Sequence, residues 1–468
     1  MAVVGIAQLM VVLDATIVNI ALPSAQADLG FSDADRQWII TAYALAFGSL
    51  LLLGGRIADL FGRKPTFLVG LAGFAVMSTA GGAAPTFAVL VAARAAQAVF
   101  GALLAPAALS LLTTTFDDSA ERGRAFGIFG AISGGGGAIG LLLGGVLTEY
   151  LDWRWTLYVN MVLAAIPLLG GVLLLRRTPR DPGARLDVLG TVLASAGLFG
   201  LVYGFAGAES RGWGSVLTWG CLAGAAVLLA AFAGWQTRAA RPLLPLRVLT
   251  DRNRAASYLA VLIVGAGMFG IFLFLTYYLQ QGLGYSPVRT GLAFMPLVAA
   301  TMVSASLSAA APFVRIGPKP IVPVGMGIAV AGVVLLARLD LASTYPAHVL
   351  PALILLGVGF GLVIAPSISL GTAGIDPADS GVASATVNAA QQVGGSIGPA
   401  VLTTAAAQAV AGYVAGRDPA DPAVRVHAAM KAYSTVYWWA AGLFAVGLAV
   451  TFLLFRPGAF PNSGDARP

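Results

Sequence analysis

Residues 13–23 read LDATIVNIALP and place one carboxylate, Asp14, inside an otherwise apolar run. The run begins at residues 1–12, MAVVGIAQLMVV, which lack the basic residues of a signal peptide. An apolar run of this length predicts a membrane-spanning helix. A charged side chain at the centre of such a helix costs about 2.5–3.5 kcal/mol on insertion scales. Asp14 is therefore expected either to carry function or to pair with another buried group.

The composition of the whole chain is that of a membrane protein. Of its 468 residues, 58% are hydrophobic and 10% are charged, and the mean hydropathy is +0.86, whereas a soluble protein has about 25% charged residues. We predict an all-α integral membrane protein, because a helix satisfies its own backbone hydrogen bonds in lipid. The net charge of +7 is attributed to basic loops rather than to nucleic-acid binding. One cysteine, Cys221, and two histidines, His348 and His427, predict neither a disulfide nor a metal site.

About fourteen apolar runs are long enough to span a bilayer. They cover approximately residues 4–24, 38–58, 66–84, 88–112, 125–147, 155–175, 187–206, 217–235, 255–280, 291–311, 320–339, 348–372, 384–412 and 433–455. Basic residues are concentrated in alternate loops, at Arg56, Arg63, Lys64, Arg122, Arg124, Arg176, Arg177, Arg180, Arg185, Arg238, Arg241, Arg247, Arg252, Arg254, Arg315 and Lys319. The positive-inside rule places these loops and both termini in the cytoplasm, which predicts a multi-pass protein of the bacterial cytoplasmic membrane.

Two short stretches are nearly repeated along the chain. GGAIGL at 136–141 matches GGSIGP at 394–399, and GRKP at 62–65 matches GPKP at 317–320. The separations of 258 and 255 residues almost coincide, which indicates two duplicated halves, a pattern typical of transporters with a substrate site between the halves. The predicted domains are a six-helix half over 1–180, an inserted helix pair with a cytoplasmic linker over 181–250, and a second six-helix half over 251–468.

Several motifs, in this order, resemble those of the major facilitator superfamily. LDATIVNIALP resembles the first-helix signature of its fourteen-helix drug:proton antiporters. GRIADLFGRK (55–64) resembles the loop between its second and third helices, LVAARAAQAVFGALLA (90–105) its fourth-helix motif, and GAIGLLLGG (137–145) its fifth-helix antiporter motif. Three further stretches are similar to the same branch: WRWTLYVN (153–160), LTYYLQQGLGYSPVRTG (275–291) and NAAQQVGGSIGP (388–399).

The resemblance implies a secondary active transporter rather than an enzyme. It implies the major facilitator fold, with two six-helix halves and two inserted central helices, and export of amphipathic drugs or antibiotics by alternating access. The expected partners are the small-molecule substrate, protons and the lipid bilayer, with the proton gradient as energy source, no cofactor, and function as a monomer. The chain departs from the family at Leu141, where the antiporter motif has proline, and at Val314, where the second half lacks a counterpart of Asp59.

Asp14 and Arg94 are the candidate proton-coupling residues. Burial raises the pKa of a carboxyl group and a nearby cation lowers it, so the protonation of a buried acid can change with its surroundings. Arginine stays protonated and cannot carry the proton itself, but it can tune a nearby acid. A structural ion pair involving Asp14, and a scaffold hydrogen bond from Arg94 to backbone carbonyls, remain open alternatives.

Two further sets of residues are candidates for conformational roles. The cytoplasmic loop motif predicts a conformational latch at Gly55, Arg56, Asp59, Gly62, Arg63 and Lys64, although topology alone also explains its basic residues. The antiporter motif predicts close helix packing at Gly137, Gly140, Gly144 and Gly145. Sliding between the halves and static packing both remain open for these glycines.

Polar side chains within the apolar runs are the candidate substrate contacts. They are Asn19, Gln97, Tyr277, Tyr278, Asn388, Gln391 and Gln392. Amides in a membrane helix need partners, so interhelical hydrogen bonding is the alternative interpretation. At the level of the whole protein, the alternatives are a proton-coupled importer of a small metabolite and a non-transporting membrane receptor. A receptor usually has a soluble sensing domain, and no run between the spans is long enough to form one.

Overall fold

The computed structural model describes residues 1–31, 33–115, 119–175, 186–239, 242–308, 316–373, 375, 380–418 and 421–456. Six of the predicted cytoplasmic basic residues lie outside this part of the chain, namely Arg176, Arg177, Arg180, Arg185, Arg241 and Arg315. The predicted boundary at residue 180 also lies outside it, so the domain limits stay predictions. Within the described residues the secondary structure is helical, without strands.

The first half consists of six helices. They are α1 (Ala2–Leu29), α2 (Asp33–Phe61), α3 (Arg63–Gly82), α4 (Phe87–Thr115), α5 (Ser119–Tyr150) and α6 (Trp155–Leu174). The first helix is bent by 43° between its Ala2–Val18 and Ile20–Leu29 segments. Gly62 alone separates α2 from α3, with φ 98°. Only glycine adopts this backbone conformation without strain, so it permits the immediate reversal of direction between the two helices.

The remaining helices form the inserted pair and the second half. The inserted pair is α7 (Val188–Arg211) and α8 (Val216–Gln236), followed by the short α9 (Leu246–Thr250). The second half comprises α10 (Arg252–Tyr277), α11 (Pro287–Ala293), α12 (Met295–Ser308), α13 (Pro318–Ala337), α14 (Leu350–Gly371), α15 (Ser380–Val414) and α16 (Pro422–Leu454). One π-helical turn, Tyr278–Gly282, extends α10, and another, Tyr345–Val349, precedes α14.

The helices agree with the predicted spans. Twelve described helices are long and apolar enough to cross a membrane, and the bent α1 makes thirteen. The 32-residue α5 covers the remaining predicted span, so the structure is consistent with fourteen spans. Helix α16 starts at Pro422, before the predicted span at 433–455, so this helix is longer than its apolar run. The Asp421 side chain accepts a hydrogen bond from the Ala423 amide and proline occupies the first turn, which together favour a helix start there.

The two halves are built in the same way. A weaker correspondence accompanies the two repeats found above: Gly101, Ala105 and Pro106 of α4 recur as Gly361, Ala365 and Pro366 of α14, 260 residues later. Each of these helices contains an internal proline, Pro106 in α4 and Pro366 in α14. The halves meet where α5 packs against α11, α12 and α14, and where α2 packs against α15.

The inserted pair contacts both halves. Helix α7 packs against α2 of the first half and α15 of the second. At one end, the Trp213 indole donates a 2.7 Å hydrogen bond to the Thr404 hydroxyl of α15. Toward the first half, the rings of Tyr203 and Trp38 lie 6.3 Å apart. The pair is therefore seated along the line where the halves meet.

Asp187 fixes the opposite end of the inserted pair. Its carboxylate accepts hydrogen bonds from the Gly190 amide, the Trp235 indole, the Gln236 amide group and the Leu243 amide. Burial by itself raises the pKa of Asp187, but these four hydrogen bonds outweigh burial, so its pKa lies below the ordinary value. The start of α7, the end of α8 and the linker to the second half are thereby joined at one carboxylate.

Candidate functional site

The Asp14 carboxylate lies at the centre of a buried polar cluster in the first half. Asp14 is 0% exposed. Its Oδ2 atom is 2.6 Å from Arg94 Nη1 of α4, which makes a buried salt bridge. Its Oδ1 atom accepts hydrogen bonds from Gln97 Nε2 of α4 at 2.9 Å and from Asn160 Nδ2 of α6 at 2.7 Å. Three donors from two helices thus stabilise the ionised form of the acid.

Arg94 is held by its own helix and by α2. Arg94 and Gln97 are three residues apart, so they share one face of α4. Arg94 Nη1 also donates to Gln97 Oε1 at 2.6 Å. The Arg94 guanidinium carbon lies 4.3 Å from the centre of the Tyr43 ring, in a cation–π contact. The carboxylate, the amide oxygen and the ring face together compensate the buried positive charge.

Helix α6 and helix α3 complete the cluster. Asn160 Nδ2 donates not only to Asp14 but also to Ser78 Oγ at 2.9 Å. The Ser78 hydroxyl in turn donates to the Leu157 carbonyl at 2.8 Å. Sequence reasoning missed Asn160, Ser78 and Tyr43. A signal existed for Asn160, which ends the WRWTLYVN motif and is a fully buried amide in an apolar helix. Together with Asp14, Arg94 and Gln97, these three residues make a group of six that we call the Asp14 cluster.

The glycines of the antiporter motif pack against α1 around Asp14. A Cβ atom on Gly140 would meet Thr16 Oγ1 and lie 3.0 Å from the Leu13 carbonyl oxygen. One on Gly144 would lie 2.8 Å from the Ile17 carbonyl oxygen, and one on Gly137 would lie 3.3 Å from Thr16. These glycines therefore allow close contact within the first half, which favours packing over sliding between halves. Gly145, the fourth glycine, is buried in the same helix.

The second half uses glycines in the same way. Gly394 and Gly398 on α15 are the repeat equivalents of Gly136 and Gly140. They pack against the carbonyl oxygens of Leu262 and Ala266 on α10. In contrast, Gly130 of α5 meets Ala365 across the contact between the halves. Helix α5 continues without a break through Leu141, the residue that replaces the family's proline.

The cytoplasmic loop motif is held together inside the first half. Arg63 Nη2 lies 3.9 Å from Asp59 Oδ1, one helical turn apart in sequence, and both side chains are largely buried. Lys64 Nζ donates to the carbonyls of Val172 and Leu175 at 2.8 and 2.6 Å, so it caps the carboxyl end of α6. Gly62 supplies the turn described above. Buried Gly55 and Arg56 lie on α2. The latching role of these residues stays a prediction.

The predicted substrate contacts do not form one group. Gln97 belongs to the Asp14 cluster. Tyr278 is 2% exposed, and its hydroxyl contacts the carbonyls of Asp340 and Ser343 at 3.4 Å. Its ring packs edge-on against Tyr433 of α16. Tyr278 thus has partners within the second half, and its contact with substrate stays a prediction.

The other predicted contacts are less constrained. Tyr277, next to Tyr278, is 41% exposed. Asn388 Nδ2 donates to the Ser384 carbonyl at 2.9 Å, a bond within its own helix. Gln391 and Gln392 are half-buried on α15. The Asn19 side chain lies outside the described part of the chain, and substrate contact by all of these residues remains a prediction.

The charged site has no counterpart in the second half. The repeat of 260 residues places Ile354 and Gly357 of α14 where α4 carries Arg94 and Gln97. Two related halves of membrane helices, together with the ion pair that the described residues form inside the first half, are typical of a secondary transporter. The described residues contain no group of three metal-ligating side chains.

Sequence and structural comparisons identify the family. The profile of the Major Facilitator Superfamily matches residues 4–399, and the chain belongs to this family of transporters. It is 49% identical to the puromycin resistance protein pur8 of Streptomyces alboniger over 464 residues, 98% of this chain and 92% of that protein. It is 39% identical to the cephamycin export protein CmcT of Amycolatopsis lactamdurans over 410 residues, which cover 87% of this chain and 84% of that protein.

The fold comparison agrees with the family assignment. The human organic anion transporter MFSD10 superimposes with a TM-score of 0.63 over 96% of this chain and 98% of its own, at 17% identity. At that identity the similarity concerns the fold alone. The predicted family, the membrane transporter fold and the transporter class, as opposed to an enzyme, are confirmed.

Proposed function

We propose that this protein exports an amphipathic antibiotic from a bacterial cell in exchange for protons. The names of its relatives, a puromycin resistance protein and a cephamycin export protein, support an antibiotic as substrate. The observation that carries proton coupling is the Asp14 carboxylate, which is fully buried and paired with Arg94 at 2.6 Å. The protein spans the cytoplasmic membrane with both termini inside the cell.

Protonation of Asp14 changes the forces that hold the first half together. Neutral Asp14 no longer balances the charge of Arg94, which stays protonated. Helix α1 packs against α5, and α5 packs against α11, α12 and α14 of the second half. A shift of α1 around Asp14 therefore reaches the contact between the halves through the glycine-lined α5.

Exchange requires that the proton and the drug favour different states, because a ligand shifts an equilibrium only through its differential affinity. Protonation of Asp14 from outside favours release of the drug to the outside. Deprotonation toward the cytoplasm restores the ion pair with Arg94 and the state that binds the next drug molecule. The energy source is the proton gradient, and no cofactor is involved.

The test uses inside-out vesicles with an acidic lumen and puromycin as the probe. Wild-type vesicles should accumulate puromycin, and its addition should dissipate the pH gradient. Asp14→Asn should abolish both at matched expression. Asp28→Asn is the matched control, because Asp28 is a half-exposed carboxylate on the same helix that pairs with Arg154 at the outer end.

The outcomes separate the parts of the proposal. If Asp14→Asn still couples puromycin to protons, Asp14 is structural and the proton carrier lies elsewhere. If wild-type vesicles respond neither to puromycin nor to a panel of amphipathic antibiotics, the export proposal is wrong. Loss of transport in Asp28→Asn as well would show that the loss in Asp14→Asn is not specific to the buried acid.

A further inference from the structure

The Asn160 side chain is only half satisfied. Its amide nitrogen donates both hydrogens, one to Asp14 Oδ1 at 2.7 Å and one to Ser78 Oγ at 2.9 Å. Its carbonyl oxygen, Oδ1, is buried and has no hydrogen-bond partner. Asn160 is 0% exposed. A buried acceptor without a partner is costly, so this oxygen needs an explanation.

The surroundings of Asp14 suit only its ionised form. All three groups that contact the carboxylate are donors: Arg94, Gln97 and Asn160. A protonated carboxyl group is itself a donor and needs an acceptor. Gln97 Oε1 already accepts from Arg94. The Tyr43 hydroxyl also lacks a partner, but the Tyr43 ring contacts Arg94 rather than Asp14.

We propose that Asn160 turns its amide group over when Asp14 takes up a proton. The inference rests on the proton coupling proposed above. Rotation by about 180° around the Cβ–Cγ bond exchanges Nδ2 and Oδ1, and this torsion has a broad two-fold preference. Oδ1 then accepts the new Asp14 hydroxyl. The Ser78 hydroxyl rotates away from the Leu157 carbonyl and donates to the same oxygen.

The exchange keeps the contacts of Asn160 with Asp14 and Ser78, while the bond from Ser78 to the Leu157 carbonyl is given up and Nδ2 moves to the position that Oδ1 held. The proton is added to Asp14 Oδ1, the bond from Asn160 Nδ2 to that oxygen is lost, and the bond from Asp14 to Asn160 Oδ1 is formed. The bond between Asn160 and Ser78 reverses direction. Asn160 is thus a positioning residue that offers a partner to both protonation states of Asp14, and Ser78 follows it.

Few charged groups face Asp14 within the described contacts. From α4 it meets Arg94, and from α2 it meets Tyr43 behind the arginine. Within the described contacts, α6 presents the neutral Asn160 and α5 presents glycines to this part of α1. The other acid of α1, Asp28, is paired with Arg154 at the outer end.

Infrared difference spectroscopy tests this directly on the full-length protein in lipid. Spectra at low minus high pH should show a new carboxylic acid carbonyl band together with a shift of an asparagine side-chain carbonyl band. The other acidic side chains also titrate, so the Asp14 contribution is obtained by subtracting the Asp14→Asn difference spectrum from that of the wild type, and both features should appear in that double difference. In Asn160→Thr the acid band should remain and the asparagine shift should disappear, because a hydroxyl both donates and accepts without an amide band.

Transport gives a second readout. Asn160→Thr should retain proton-driven puromycin uptake, whereas Asn160→Leu should reduce it about tenfold or more, with thermal unfolding in detergent as the folding control. An acid band without an asparagine shift would overturn the role of Asn160 and leave proton coupling standing. Absence of an acid band that depends on Asp14, that is, identical acid bands in the wild type and in Asp14→Asn, would overturn the coupling role of Asp14 itself. Equal loss of uptake in the Thr and Leu variants would also contradict the exchange.

Discussion

The Asp14–Arg94 pair should behave as one coupled unit in stability measurements. The nitrogen and oxygen are 2.6 Å apart, both side chains are almost fully buried, and the charge centres lie about 4 Å apart. At an effective dielectric constant of about 20, two unit charges at that distance attract by about 4 kcal/mol. Removal of one partner from a buried pair costs about 3–5 kcal/mol, because the other charge is left uncompensated.

A double-mutant cycle measures this coupling. Asp14→Asn and Arg94→Gln should each lower the free energy of unfolding by about 3–5 kcal/mol. The double variant lacks both charges of this pair and should be less destabilised than the sum of the two by about 2–3 kcal/mol. Reversible unfolding in mixed micelles of increasing SDS content gives the free energies. The outer pair of Asp28 with Arg154 is the control, and its coupling should stay below about 1 kcal/mol because it is exposed.

Additive costs in the cycle would refute the reasoning, because they would mean that the two charges do not stabilise each other. The transport assay adds a second criterion. All three variants should fail to couple puromycin to protons, including the double variant, whose stability is partly restored. Coupled transport by that variant would place the proton carrier at another residue and leave this pair a structural role.

Three further predictions concern the glycines, the aromatic contact of Arg94 and the Asp187 carboxylate. Gly140→Ala and its repeat counterpart Gly398→Ala should each lower the free energy of unfolding by about 1–3 kcal/mol through overpacking. Only Gly140→Ala should change the pH profile of puromycin uptake, because only that substitution displaces α1. Identical pH profiles for the two variants would contradict this. Tyr43→Leu should lower the free energy of unfolding by about 2 kcal/mol, because it removes the ring that contacts Arg94. Tyr43→Phe should leave thermal unfolding nearly unchanged, because the hydroxyl has no hydrogen-bond partner. A large loss of stability in Tyr43→Phe would reveal a role for that hydroxyl. The pKa of Asp187 is lowered in the folded protein, so its stabilising effect is complete above the unfolded-state pKa of about 3.9 and is lost as the pH falls from there through the lower folded-state pKa. The wild type should lose more stability than Asp187→Asn as the pH is lowered through this range, and parallel curves would exclude this linkage.

Hydropathy alone located the helices of this protein. Each predicted apolar run falls on a helix, because an apolar segment in lipid can satisfy its backbone only by forming one. The exception is the start of α16, where an aspartate cap and a proline begin the helix at Pro422, before the apolar residues do. Local chemistry at helix ends decides such boundaries, and hydropathy does not report it.

The repeats and the isolated charges were also visible in the sequence. The spacing of the matched stretches predicted two related halves, and Asp14 and Arg94 stood out as charges inside apolar runs. Sequence order could not show that they touch, because 80 residues separate them. Asn160 is 146 residues from Asp14, and its amide could equally have bonded to its own helix, as that of Asn388 does.

The tertiary structure decided which side chains meet and in which direction each glycine faces. Gly140 and Gly144 turned out to press on the helix that carries Asp14, and Tyr278 turned out to bond inside the second half. Periodicity places a residue on a face of a helix, but the packing of several helices determines the neighbour of that face. A buried polar group is stabilised by partners at hydrogen-bond distance, so only the assembled bundle reveals that one carboxylate is held by α4 and α6 together.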